Sequence, residues 1–400
     1  MADRRTNRSK NRRDGGPEDQ DQDGTGTRNP MPGAEPLHHR ALRSSGPPGP
    51  PGPPGHRRKL VLHIDLNNTV LVSDAVTGHG TVAALDGFLS GVTWGRMDKG
   101  QWRWLSDRPS LRPPCPGAVS FFSQFGRTPG FTSSSSGRRF RASLEEHLEL
   151  LRWPDDAEAD PDLSVRGEDG RLYHWILPSF FQLLIDLTSE GSDFAVVFRT
   201  FGTDLPRVLR AVSKVLTHGH PLFSNLRQVK LGVDMSPGKI RCSGRGVVLT
   251  RAQDRVSSVG REDGARMLYT IFSSAQGISG FQDHFDWWAA HSFSLIGGKP
   301  FWIDPFDLDV HHIFIDDNIR PKDQDSIVHP MVFLSSGGTE TRSSSSSELL
   351  DLCLVQNDLL QAISDPQYFT QRVQTCAANY QRNQGPPGPR VQSPGPESRP

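Results

Sequence analysis

KLVLHIDLNNTVLVSD, residues 59–74, decides the fold, because an apolar run ends there abruptly in a carboxylate followed by small polar residues. Val61, Leu62 and Ile64 around a single His63 have the pattern of a strand buried on both faces of a parallel sheet, with Asp65 at its carboxyl end. Ligands of open α/β sheets bind at that edge. Leu66-Asn67-Asn68-Thr69 cannot continue a buried strand cheaply, since Asn side chains compete for backbone hydrogen bonds and favour turns. A carboxylate held this way serves as a nucleophile, as a ligand for a hard cation, or as both. Many strand–Asp–turn units only cap the next element, so the weight of this one depends on the rest of the chain.

The 400 residues allow two to three domains at about 150 residues each and are enough to bury a core. With 34% apolar residues and 39 Gly, the chain lies slightly under the globular norm of about 45–50%. The deficit falls at the ends and in Ser-rich inserts. Forty-five basic and 45 acidic residues cancel, which argues against whole-protein attraction to nucleic acid or to an anionic membrane. No run of about 18 apolar residues predicts a membrane span, and the first 30 residues lack an apolar signal core. Cys115, Cys242, Cys353 and Cys376 form no CxxC, so reduced thiols in a cytoplasmic protein are the economical expectation.

Residues 1–58 read as a disordered, basic and Pro/Gly-rich tail. Its Gly-Pro-Pro triplets at 46–55 suggest a polyproline II tether, a candidate ligand for a polyproline-binding protein. Arg4, Arg5, Arg8, Lys10, Arg12 and Arg13 form a cluster that suits nuclear import, RNA contact or, more simply, a solvated tail. An α/β domain is expected over 59–335, with a turn at 74–78. The region 79–175 reads as an insertion forming a small cap, with a helix from Ser143 to Trp153 and a mobile loop at Thr132–Gly137. A helix at Ser179–Glu190, a continuous apolar run ending at Phe198-Arg199-Thr200-Phe201-Gly202, and a helix from Leu205 to Leu216 follow. Short strands are expected at Val229–Leu231 and Val247–Leu249, and a helix at Glu262–Ser273. In DHFDWWAAH, residues 283–291, His284, Asp286 and His291 tempt toward a metal, but Phe285, Trp288 and Ala289 have the spacing of a core-facing helix. Gly297-Gly298-Lys299 precedes a third junction, where Val310–Ile315 runs into Asp316-Asp317-Asn318. A strand at Ile327–Leu334, a Ser-rich loop, a helix from Glu348 to Ile363 within 336–380, and a disordered tail at 381–400 complete the chain. His63, His311 and His312 read as buried structural residues. The alternation of strands and helices implies a parallel sheet with crossover helices.

Three strands ending in Asp, Thr and Asp-Asp, with a lysine 17 positions before the last pair, resemble the haloacid dehalogenase-like (HAD) superfamily of aspartate-nucleophile phosphohydrolases over roughly 59–335. Asp65-Leu66-Asn67-Asn68-Thr69 matches the first motif, Asp-x-Asp-x-Thr, at its ends, and Phe198-Arg199-Thr200 matches the second. Lys299 stands for the third and Asp316-Asp317 for the fourth. The resemblance implies a Rossmann-like core with an inserted cap and a small phosphorylated substrate. Asp65 would be the nucleophile, Thr200 a donor to a phosphoryl oxygen, and Lys299 a neutraliser of charge. Mg²⁺ would be held by Asp65, the backbone carbonyl of Asn67, and Asp316 or Asp317.

The departure is Asn67, where hydrolytic members carry an aspartate that protonates the leaving group and activates water. An amide cannot carry that proton, and the loss of such assistance costs roughly 10²–10⁴-fold. The resemblance therefore implies a slow phosphatase or phosphotransferase acting through an aspartyl-phosphate. The alternative is a catalytically inactive HAD-fold binding or regulatory protein.

Overall fold

In the computed structural model, Lys59–Ile64 is a strand whose alternate side chains feed two cores. Leu60, Leu62 and Ile64 join one apolar cluster and Val61 joins another, while His63 packs against Phe272 and Phe301. Burial of both faces explains why the run carries almost no polar residue. The structure describes residues 58–383 except 74–77, 79 and 322–325. The expected tether at 46–55, the basic cluster at 4–13, most of the turn at 74–78 and the tail beyond 383 lie outside the described residues.

The fold is mixed α/β, built on an eight-stranded, mostly parallel sheet flanked by helices. Across the sheet its order is Asp254–Ser257, Gly246–Arg251, Gly238–Ser243, Gly277–Gln282, Phe194–Thr200, Lys59–Ile64, Val310–Asp316 and Leu354–Gln356. The last six run parallel, and the first two extend one edge as antiparallel strands. Register fixes what matters for the chemistry. Ile64 pairs with Ile315 on one side and Phe198 on the other, so Asp65, Arg199-Thr200 and Asp316 leave the sheet at one edge. Gln282 pairs with Thr200, which brings Asp283 to the same edge.

The helices Pro178–Ser189 and Leu205–His218 match expectation to within two residues. Several other expectations are corrected. Val229–Leu231 is not a strand; it follows a short 3-10 turn. Gly277–Gln282, a central strand, was concealed by its two glycines. A Cβ at Gly280 would lie 2.5 Å from Leu205 Cδ1 and 3.0 Å from Phe198 Cβ, so the close approach of helix to sheet requires glycine there. The expected helix 348–363 is broken into Ser346–Leu349, the strand Leu354–Gln356 and Leu359–Ser364. Asp351 takes a left-handed φ of 58° at the break. The α/β unit therefore extends past residue 335, and a long helix, Tyr368–Asn383, packs beside Pro178–Ser189. Val328–Phe333 is a strand, but it belongs to a second sheet with Lys299–Ile303 and Thr341–Ser343.

Within 79–175 the helix runs over Arg141–Leu150 and buries Leu144 and Leu148. The segment 132–137, expected to be mobile, is anchored. The buried Asp86 carboxylate accepts from the Phe131 and Thr132 amides at 2.6 and 2.8 Å and from Thr132 Oγ1. Trp104, Phe121, Phe131 and Phe140 stack into the same continuous apolar cluster as Leu62 and Val196, so the insertion encloses no separate core. Among the described residues no helix is long and apolar enough to cross a membrane.

The histidines are buried, as expected. His63 Nε2 and His312 Nδ1 are 3.1 Å apart, and His311 Nε2 meets the Leu352 carbonyl. Burial pushes His311 down to about 4 and His312 to about 3, and holds His63 well below its ordinary value. The folded rings stay neutral where unfolded ones take up protons, near pH 6.5, so the unfolded chain binds more protons and stability falls as pH drops below that value. The expected loss is on the order of 1–2 kcal/mol per ring between pH 7 and 5. Urea midpoints at the two pH values, with His312→Gln showing the shallower dependence, check this.

Candidate active site: a lysine shared by two strand-end carboxylates

Asp65 follows the Lys59–Ile64 strand directly, its amide still bonded to the Ile315 carbonyl at 3.0 Å, so its side chain starts from a fixed frame. The chain then turns sharply through Asn68, at a φ of 56° that asparagine tolerates better than most residues. Asn357, just past the Leu354–Gln356 strand, donates to the Asn68 carbonyl at 3.0 Å and ties the turn to the sheet. The polar turn expected from the sequence is thus built and braced.

Lys299 opens its strand with its backbone amide on the Ile327 carbonyl at 2.6 Å. It is not a surface loop lysine: it is 1% exposed. Its ammonium donates to Asp65 Oδ1 at 2.6 Å, to Asp316 Oδ2 at 2.7 Å and to the Arg199 carbonyl at 3.1 Å. Three donors meet three acceptors, which is the full capacity of the group. Asp65, Asp316 and Asp317 bring carboxylate oxygens within 4.8 Å of one another, all buried. The Asn318 amide donates to Asp316 Oδ1 at 2.9 Å, and Arg320 holds the Asp317 carbonyl at 2.6 Å.

One ammonium cannot balance three buried carboxylates. Burial raises the Asp65 carboxyl, Lys299 pulls it back and Asp316 pushes it up again, leaving it at about 7. Asp317 stands well above the ordinary range, from burial first and then from Asp316 and Asp65. For Lys299, burial alone lowers the ammonium, but Asp316 and Asp65 outweigh it and hold the proton firmly. The two partners thus shift in opposite senses of pairing strength. Lys299 is charged, and the crowding of carboxylates around it raises Asp65 and Asp317. A divalent cation with oxygen preference is what such a donor set fits: hard carboxylate oxygens, closely spaced, with negative charge left over.

Thr200 is fully buried, and its hydroxyl oxygen accepts from the Gly202 amide at 2.9 Å, which fixes the side chain at the carboxyl edge. The Asn67 amide donates to Ser73 Oγ at 3.0 Å and to Asp204 Oδ2 at 3.3 Å. Register and contacts therefore gather Asp65, Lys299, Asp316 and Asp317 into one cluster, with Thr200 and Asn67 beside it. His284, Asp286 and His291 are not brought together as metal ligands; among the described residues the three aspartates are the group that could hold an ion. In the helix Phe285–Ala290 the expected core face of Phe285, Trp288 and Ala289 holds in part: Trp288 is half-buried against the core cluster of Phe301, Ile303 and Phe314, whereas Phe285 is exposed.

The reading from residues missed Arg199 and Asp283. Arg199 is fully buried and forms a two-pronged pair with Asp283 at 2.7 and 2.9 Å, while also donating to the Pro300 carbonyl. It locks the strand that carries Thr200 to the strand that begins with Lys299. A charged residue inside the apolar run FAVVFRT was the available signal, since such a charge needs a buried partner. Comparison with family models, curated proteins and solved structures finds no match to this chain. Replacing Asp283 with Ala leaves the Arg199 charge buried and unpaired, and is expected to cost about 3–5 kcal/mol. A denaturant titration of wild type and variant measures it.

Proposed function

We propose that the chain is a Mg²⁺-dependent phosphatase or phosphotransferase of the HAD type, acting through an aspartyl-phosphate on Asp65. The observation that carries the reading is the ammonium of Lys299 bonded at once to Asp65 and Asp316, with Asp317 alongside, at the carboxyl edge of a parallel sheet.

The atoms divide the work. Asp65 Oδ1 is taken by Lys299, whereas Oδ2 has a long 3.4 Å contact with Thr69 Oγ1, so Oδ2 is the oxygen assigned to attack. In the first step an Oδ2–phosphorus bond forms and the phosphorus–oxygen ester bond breaks, the leaving group departing with the electron pair. In the second, water or another acceptor attacks phosphorus and the Asp65 carboxylate is released. Lys299 stays charged throughout and offsets charge on the nucleophile and the phosphoryl oxygens. Thr200 keeps its hydroxyl hydrogen for a phosphoryl oxygen, because its oxygen is already anchored as an acceptor. Asp316, Asp317, Asp65 and the Asn67 carbonyl are the ligands offered to Mg²⁺, which when bound supplies charge neutralisation and orients the phosphoryl group. The inserted region 79–175 takes the place of a cap in this reading.

One residue favours a second reading. Asn67 cannot pass a proton, and a site with its nucleophile kept but its acid–base group replaced also suits a binding or regulatory protein that holds a phosphate or a cation without turnover.

Hydrolysis of an activated aryl phosphate by the full chain, with Mg²⁺ and with EDTA, separates the two. The catalytic reading expects metal-dependent turnover that Asp65→Asn abolishes and Asn67→Asp raises by about 10²-fold or more. A folded wild type and a folded Asn67→Asp that are both silent would leave the binding reading in its place.

A further inference from the structure

Of the aromatic residues on the flank of Lys299, Phe201 and Trp288 are half-buried against the core cluster of Phe301, Ile303 and Phe314, while Phe285 and Phe293 extend from them to the surface. The Phe201 ring lies 5.1 Å from the Lys299 ammonium, directly after Thr200. Trp288 stacks on Phe201 at 5.4 Å, Phe285 meets it edge-on at 5.6 Å, and Phe293 meets Trp288 edge-on at 5.1 Å. Phe285 and Phe293 are 38% and 44% exposed. All four rings follow the carboxyl ends of two adjacent strands, Phe194–Thr200 and Gly277–Gln282, on the edge where the aspartates converge.

Two details set this group apart from casual surface apolarity. Ser292 and Phe293 both take left-handed φ values, 54° and 57°, which side chains other than Asn and Gly adopt only when the surroundings impose it. The Trp288 indole Nε1 is buried and has no hydrogen-bond partner. The rim thus begins with an aromatic face against the Lys299 ammonium and carries an indole N–H without a partner.

The chemistry at residue 67 says what would sit there. A phenolate, with a conjugate acid near pKa 10, leaves without being protonated in the transition state, whereas an alkoxide, closer to water at about 16, needs a proton donor. Asn67 cannot be that donor. Resting on the phosphoryl-transfer reading above, we propose that the substrate class is phosphate monoesters of phenols, the aryl ring stacking in the rim of Phe201, Phe285, Trp288 and Phe293. Phosphorus passes to Asp65 Oδ2 as its bond to the phenolic oxygen breaks. The phenolate keeps the electron pair and takes its proton from bulk water after release.

The test uses the full chain with Mg²⁺ and two phosphonates, phenylphosphonate and cyclohexylphosphonate, which are close in size but differ in aromaticity. Calorimetric titration is expected to show phenylphosphonate binding roughly 2- to 10-fold tighter, with the ratio collapsing in Phe285→Leu/Phe293→Leu. Both positions are exposed, and urea midpoints verify that the variant is folded. Equal affinities, or a ratio the double variant leaves intact, overturn the proposal, as they would if another part of the chain or another protein covered the rim. Efficient turnover of an alkyl phosphate that Asp204→Asn removes overturns it too, since Asp204, 3.3 Å from Asn67, would then supply the missing proton. The two claims fail separately. Phenyl-selective binding with no hydrolysis in wild type or Asn67→Asp sinks the catalytic reading and leaves the rim; hydrolysis without phenyl selectivity does the reverse. Comparing phenyl phosphate with a phosphotyrosine peptide tells a small-molecule source of the ring from a protein one.

Discussion

A single buried ammonium, on Lys299, is the point on which the site turns. It neutralises part of the charge of Asp65 and Asp316, and it does so from a strand that belongs to neither of theirs. The arrangement needs the eight-stranded sheet and the small sheet of Lys299–Ile303 to be held in fixed relation. Arg199 supplies that relation, pairing with Asp283 at the edge of the large sheet and reaching the Pro300 carbonyl in the small one. Both cations lie out of water, where an unpaired charge costs several kcal/mol, so each is held by at least two acceptors. Loss of one partner would strand the others.

A cluster of three buried carboxylates served by one ammonium is costly to fold, and the cost shows in the weakened acidity of Asp65 and Asp317, whose carboxyls burial and mutual repulsion push up. Pure scaffolding has no use for it: apolar side chains of similar volume fill such a place at lower cost. A strand end that crowds three carboxylates, with Asn318, Arg320 and Asn357 hydrogen-bonded around it, offers a donor set that a positively charged ligand would fit. The Asn67 side chain stands apart from this cluster, its amide donating to Ser73 and Asp204.

Much of this arrangement is legible in the sequence. The apolar runs ending at Asp65, Thr200 and Asp316 marked three neighbouring parallel strands, and they are neighbours in the sheet. What stayed hidden has local causes. Gly277–Gln282 does not look like a strand because Gly280 is required by contact with a helix remote in sequence, not by strand propensity. Leu354–Gln356 lies in a stretch with helical spacing, and only a left-handed Asp351 breaks it. The anchored loop around Thr132 depends on Asp86, 46 residues earlier, and no reading of the loop itself reveals such a partner. Lys299 had the right spacing from Asp316, but its burial follows from the second sheet, which periodicity cannot show.

The most direct measurement is a crystal structure of the full chain with Mg²⁺ and beryllium fluoride, which mimics a phosphoryl group on an aspartate. The account predicts beryllium bonded to Asp65 Oδ2 with its fluorides in the place of phosphoryl oxygens, a cation among Asp65, Asp316 and Asp317, and the Lys299 ammonium still against Asp65 Oδ1. An Asp65 carboxylate that binds neither ion at millimolar concentrations, in a crystal where the site is open to solvent, would contradict it.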